Sequence, residues 1–564
     1  MPASALKTQA TIINFHGCSL SNLVHCSSKC VREAASSRDM GASTSTPSRS
    51  EEQEAESLVA SIGALPTLQT SFAKLSDPQS KSIPLHSLQQ CLSLTPQVPL
   101  PESPSPIPDH FPSLLTHLGS SIADLFFVSG EGGGVSWVEF LRGYIACCGR
   151  MPGSAALDNL FRLYSSASAK AGSPPKLEFG SDDDGKMSGS LRLGDLRMLL
   201  WVCWVMERSS RSRVEEDGLV LPDLGGLVSS AGDACGVDVL DYEIPVSTPK
   251  MRAWVLATVP GLSQCFPRFV QDRLQRCAAS EVQGDSEPST SSAGDTYLSI
   301  PDTCLLSHGI AWEISLTLRS TMSEELLDFC FSRNGDKAYE NLLYKSSVNG
   351  KGLSRFWSNV EGYHGPVLML MSGSSPDARK GDTDGQRWVI GMLTEQGFEN
   401  RDTFYGSSGS LYALSPIFHV FSHSGKEKNF VYCHVSPRRG YETHPKPVGL
   451  AFGGTIGNER MFIDEDFAIA TIRHQAVDKT YQPGSLVPNQ GFLPLEAPIL
   501  EVEAWGLSGK AAREQQYSYK KREVLFTEQR RKVDLKTFAT WEDSPEKMMM
   551  DMVSDPNRVQ REDR

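Results

Sequence analysis

The chain has 564 residues, 54 Lys and Arg against 67 Asp and Glu, and a formal charge of −13. At roughly 150 residues per domain this length predicts about three or four structural units, and the acidic balance excludes a surface that neutralises nucleic-acid phosphate throughout. Hydrophobic residues at 39% and charged residues at 21% exclude whole-chain disorder and a fibre, and the longest strongly apolar run, Met198–Met206, is about half the roughly 20 residues that cross a bilayer.

Residues 1–50 read as a leader. Ser recurs, no acidic residue precedes Glu33, and no continuous apolar block is present, which fits an organelle transit peptide and not a secretory signal. A competing pattern is Met40-Gly41-Ala42-Ser43-Thr44-Ser45, which fits M-G-x-x-x-[ST] and marks Gly41 for acylation if Met40 is the start. One acyl chain binds membranes only marginally, so a protein contact must add to it. His16, Cys18, His25, Cys26 and Cys30 contain no C-x-x-C and read as a cysteine-containing leader, not a zinc site. The 13 cysteines are odd in number and sparse, which fits reduced thiols of an intracellular protein.

Residues 51–277 show helical spacing, as in Leu58, Ile62 and Leu65, interrupted by the Pro-rich stretch Pro96–Pro112. Two segments fit the 12-residue calcium loop of an EF-hand, with ligands at positions 1, 3, 5 and 12 and Gly at 6. With Glu139 as position 12, Gly133 falls at 6 and Val135 at 8, but Val128, Gly130 and Gly132 supply no ligand. With Asp195 as position 12, Asp184 falls at 1, Ser188 at 5, Gly189 at 6 and Leu191 at 8, but Lys186 puts a cation at position 3. Both predict degenerate loops kept for packing or partner binding. Gly180–Met187 approaches a phosphate-binding G-x-x-x-x-G-K-[ST], yet its three aspartates repel phosphate. Residues 278–296, rich in Ser, Gly, Pro and acids, predict a linker.

From 297 to 508 the texture changes to short β-branched and aromatic runs bounded by Gly, Asp and Pro, with one helix at Lys351–Val360 whose Leu353, Phe356, Trp357 and Val360 share a face. No G-x-S-x-G or H-E-x-x-H is present, and the nearest approach, Gly406-Ser-Ser-Gly-Ser410, lacks the last Gly. Glu501 and Glu503 share a strand face and read as a solvated edge. Cys433 and His434 point to opposite sheet faces, which weakens a thiol–imidazole reading. Residues 509–564 are mixed in charge with helical spacing and predict a solvent-facing helix and tail, with a basic partner-binding arm as the alternative.

The runs 342–371, 387–395, 404–414, 449–467 and 500–507 resemble, in order, the stations of a TLDc domain. The resemblance implies an α+β chain whose helical EF-hand-like region precedes a largely antiparallel β-sandwich. It makes Gly362, Gly406, Gly453, Gly454, Asp464, Asp466 and Trp505 signature residues with structural roles. The whole layout, M-G start included, is similar to the myristoylated, EF-hand-like TLDc subgroup, whose animal members are associated with TOR signalling and lysosomes and whose fungal relative is a restriction of telomere capping protein. That resemblance implies a non-catalytic adaptor, without cofactor, binding subunits of the vacuolar proton-pumping ATPase from the cytoplasmic side of a vacuolar or lysosomal membrane. The alternative it implies is oxidative-stress protection through direct antioxidant or enzymatic activity, which requires a low-pKa thiol beside basic residues.

Overall fold

The computed structural model describes residues 49–94, 103, 106–128, 133–179, 187–211, 220–237, 242–279, 304–319, 321–331, 340–375, 386–435, 446–542, 547, 549, 550 and 553. Met40 and Gly41, the acidic stretch with Asp184, and all of the linker from 280 onward lie outside the described residues. Residues 55–564 form one compact unit; of residues 1–54 only the opening of helix α1 (Arg49–Ser61) is described. The chain is α+β, as its two textures predict: helices come first, then a curled antiparallel sheet.

The helical half is built from helix–loop–helix units joined in pairs. α2 (Leu65–Leu75) leads to β1 (Ile83–Pro84) and α3 (Leu85–Cys91). α4 (Phe111–Thr116) and α5 (Leu118–Phe126) lead to β2 (Gly134–Val135) and α6 (Trp137–Cys148). β1 and β2 pair antiparallel with Ile83 opposite Val135, the residue at position 8 of the first predicted loop. The pattern recurs with α7 (Gly153–Lys170), β3 (Lys176–Phe179), β4 (Met187–Arg192), α8 (Leu193–Arg211), α9 (Gly225–Cys235), β5 (Pro245–Ser247) and α10 (Thr248–Thr258). There Leu191, position 8 of the second predicted loop, opposes Val246.

Each loop marked by the sequence therefore has a partner the sequence conceals. Taking Ile83 as position 8 puts Ser76, Pro78 and Ser80 at the first ligand positions and Lys81 at position 6, where φ is 53°, close to the 75° of Gly133 in the other loop. Taking Val246 as position 8 puts Lys250 at position 12. A 3-10 turn (Pro260–Gln264) and α11 (Cys265–Ala279) complete the half. The apolar run of α8 is buried on every side, as a helix without a polar face must be.

The sheet half opens with α12 (His308–Thr317), α13 (Thr321–Phe331), β6 (Leu342–Lys345), α14 (Ser346–Asn349) and α15 (Leu353–Val360). The helix predicted from Lys351 thus starts two residues later, after Gly352 at φ 112°; Leu353, Phe356 and Val360 are buried and Trp357 is half-buried. The strands are β7 (Val367–Ser375), β8 (Gln386–Thr394), β9 (Arg401–Tyr405), β10 (Gly409–Ser415), β11 (His419–Ser422), β12 (Val431–His434), β13 (Gly449–Thr455), β14 (Asn458–Asp464), β15 (Ile469–Ile472) and β16 (Leu495–Gly506). With β6 they make an 11-stranded sheet ordered β11-β10-β8-β7-β16-β15-β14-β13-β12-β9, β6 pairing with β16. β16 belongs to both halves: Leu495–Pro498 pair with β15, and Ile499–Gly506 pair with β7 past an irregularity at Ile499 to Glu501.

The curl closes one core around Met369, Met371, Ile390, Phe452, Ile463 and Val502. The outward residues Leu368, Leu370, Tyr412, Leu414 and Trp505 join the core of the helical half instead, with Trp312 and Phe329 between. β7 is consequently buried on both faces, which explains its unbroken Val-Leu-Met-Leu-Met where a solvated antiparallel strand would alternate.

Candidate functional site

Glu501 and Glu503 do not form a solvated edge. Glu503 is fully buried, because β6 and the segment entering α12 cover that face of β16. Its Oε1 accepts from the Leu305 amide at 3.0 Å and lies 3.3 Å from Lys345 Nζ; its Oε2 accepts from the Leu306 amide at 3.3 Å and from Trp505 Nε1 at 3.0 Å. Four donors meet the four lone-pair sites of one carboxylate. Burial pulls the Lys345 ammonium down, but Glu503 and Cys304 outweigh it and hold its pKa above the ordinary value. Glu501 accepts from Ser346 Oγ and the Ser347 amide, and these bonds overcome its partial burial to hold the carboxyl below the usual range. Trp505 itself is buried, with its indole N–H given to Glu503.

The other signature positions are turn and contact residues. Gly453 and Gly454 adopt φ 65° and 91°, and a Cβ on Gly454 would lie 2.4 Å from the Asn458 carbonyl oxygen, so the β13–β14 turn admits no side chain there. Asp464 Oδ1 accepts from the amides of Ala468 (2.8 Å) and Ile469 (3.2 Å), while Asp466 is exposed in the same turn. Gly406 sits between β9 and β10, and Gly362 follows α15, with φ 78° and the Tyr519 ring against its Cα. Tyr519 belongs to α16 (Gly509–Glu542), the predicted charged helix, whose Arg513, Gln516 and Lys520 donate to the carbonyls of Glu340, Asn359 and Glu361.

In the calcium-loop frames the position-12 carboxylates have other partners. Glu139 completes a capping box with Ser136, accepting from the Ser136 amide at 2.8 Å. Asp195 is buried and held by Arg192, Nε to Oδ2 at 2.8 Å and Nη2 to Oδ1 at 3.0 Å. An arginine inside the loop therefore stands where a calcium ion would neutralise the carboxylate. Ser188 bonds Glu178 on the facing strand at 3.3 Å, and Asp184 lies outside the described residues. Among the described residues no group of three His, Cys, Asp or Glu could hold a metal ion.

The thiols divide sharply. Burial pushes Cys433 up to about 12, and its neighbour His434 points to the other face, where its ring meets Tyr432. Cys277 is the exception: contact with the Cys91 thiol, which also approaches the Arg273 carbonyl at 3.9 Å, and the nearby Lys74 lower it to about 7. Both thiols are half-buried in a shallow groove of about 430 Å³ lined also by Lys74, Arg273 and Arg276. No sequence motif announces this pair, since the two residues come from opposite ends of the helical half; the cationic Arg273-x-x-Arg276-Cys277 is the one local signal.

No described helix is long and apolar enough to cross a membrane. Residues 316–508 match the family model described as TLDc domain, which coincides with the sheet half from the end of α12 to the end of β16. That family is generally non-catalytic and is consistent with a regulatory or oxidative-stress-related role. Among curated proteins nothing matches the chain.

Proposed function

We propose, from the premise that residues 316–508 are a TLDc domain, that this chain is a non-catalytic adaptor of the myristoylated, EF-hand-like kind. Its TLDc domain docks on the peripheral sector of the vacuolar proton-pumping ATPase at an endomembrane, with a link to TOR signalling. The observation that supports this reading best is α16. Lys520 donates to the Asn359 carbonyl of the domain, and every residue from Lys521 to Lys532 beyond it is exposed, including Val524, Leu525 and Phe526. Three consecutive apolar side chains on a solvated helix present an interaction surface that the domain itself leaves uncovered.

Affinity capture from solubilised endomembranes with the full chain, against the triple variant Val524→Asp, Leu525→Asp, Phe526→Asp, tests the reading. Peripheral pump subunits should be retained by the first and lost from the second; no pump enrichment with the full chain sinks it. A second reading, direct protection against oxidants, is favoured by the depressed Cys277 thiol alone. Catalytic rather than stoichiometric peroxide consumption by the purified chain would support it.

A further inference from the structure

α3 ends at Cys91 and the last turn of α11 carries Cys277, so the groove is formed where the first paired unit meets the final helix of the helical half. That meeting is well built: Ser71 Oγ donates to the Leu274 carbonyl at 2.7 Å, and Lys74 Nζ donates to the Ala278 carbonyl at 2.7 Å. The last turn of a helix disfavours an anion because its carbonyl dipoles point outward. Here Lys74, which lines the same groove, favours the Cys277 thiolate, while Arg276 is paired with Asp272 at 2.9 Å. Cys91 supplies a sulfur in contact with Cys277, and both are free thiols.

A second thiol pair shows what the groove adds. Cys203 and Cys265 also touch sulfur to sulfur, but both are buried in the core, and the Cys203 contact together with burial holds Cys265 well above the ordinary thiol value. Contact is common to the two pairs; access belongs to one.

We infer that Cys91 and Cys277 form a peroxide-oxidisable dithiol, a redox-sensitive staple between α3 and α11. It rests on this groove and stands whether or not the TLDc domain docks on a proton pump. The Cys277 thiolate attacks one oxygen of hydrogen peroxide; the O–O bond breaks, the leaving hydroxide takes a proton, and Cys277 becomes a sulfenic acid. The Cys91 sulfur then attacks Cys277 Sγ, the S–S bond forms, the S–O bond breaks, and the Cys91 proton leaves with a second water. Two thiols and one peroxide give one disulfide and two waters, and a thiol reductant such as glutathione reverses the step.

A lowered pKa raises the thiolate share at neutral pH, and the matching fall in nucleophilicity offsets part of the gain in rate. Rate alone is therefore a weak signature, and pairing is the strong one.

The test uses the full chain with one equivalent of hydrogen peroxide at neutral pH, followed by alkylation, non-reducing digestion and mass spectrometry. The expected product is a Cys91–Cys277 linked peptide, lost on reduction, with Cys203 and Cys265 unmodified. Cys91→Ser should strand Cys277 as a sulfenic acid that dimedone captures, and Cys277→Ser should leave Cys91 reduced. Circular dichroism checks that both variants fold, and the wild-type map decides the matter even if one does not. A different bridge as the main product, or peroxide loss of Cys277 at the same rate as the buried thiols with no bridge, overturns the proposal.

Discussion

The helical half and the sheet half each contain a buried carboxylate that the sequence marks, and they neutralise it differently. Asp195 meets Arg192 three residues earlier in the same loop, and the arginine side chain keeps 38% exposure with a second partner in Glu243. Glu503 meets Lys345 across two paired strands, and the exposures are 7% and 0%. The first is a local device within one loop; the second is a tertiary device that pins the entry to α12 onto β16. Breaking a charge pair costs most where the abandoned partner cannot reach water, so equal-looking ion pairs should differ in consequence.

The largest expected effect is therefore at Glu503. Glu503→Gln leaves Lys345 charged and sealed, and urea unfolding should show a loss of about 3–5 kcal/mol. A loss below about 1 kcal/mol would mean that water reaches Lys345 and would erase the contrast. Asp195→Asn should cost less, about 1.5–3 kcal/mol for charge-assisted bonds, because Arg192 can turn to Glu243 and solvent. The same loop should ignore calcium: added calcium chloride leaves the wild-type Tm unmoved, whereas a rise would show that the ion displaces Arg192. Smaller again is Gly362→Ala, which combines a positive φ with a clash against Tyr519 and should cost about 1–3 kcal/mol. Adding Tyr519→Ala should restore the part due to the clash and leave the backbone part, a separation that a double-mutant cycle measures.

Much of this was legible in the residues. The doubly buried β7 shows in its unbroken apolar run, and the capping box at Ser136 and Glu139 shows in the spacing. Two of the paired loops showed through Gly at position 6. Their partners did not, because Lys81 adopts the left-handed conformation without being glycine and Lys250 stands where an acidic ligand would identify the frame. Glu503 was misjudged because alternation in a strand says which residues share a face, not what covers that face. The cover comes from Leu305 and Leu306, distant in sequence and preceded by residues without periodicity. The Cys91–Cys277 contact is hidden for the same reason: it joins α3 and α11, from the two ends of the helical half, and no spacing in the sequence links them.

Another buried carboxyl sharpens the comparison, because burial without a cation disfavours its charged form. Glu313 on α12 is buried between the two halves, and its burial, aided by Asp223, holds the carboxyl well above the usual range. Below the unfolded value near 4.5 both states keep the proton and the group is neutral to stability. Above it the unfolded chain releases the proton while the folded chain retains it, so stability falls as pH rises until the folded pKa is passed, then levels. Glu313→Gln deletes this slope whatever constant offset the buried amide adds. The Tm difference between Glu313→Gln and wild type should therefore grow in favour of the variant as pH is raised from about 4.5 toward neutrality. Parallel melting curves over that range would show that Glu313 ionises in the folded chain as freely as outside it. A carboxylate would then sit between the halves without a cation, and the contrast between Asp195 and Glu503 would lose its premise that burial demands a neutralising partner.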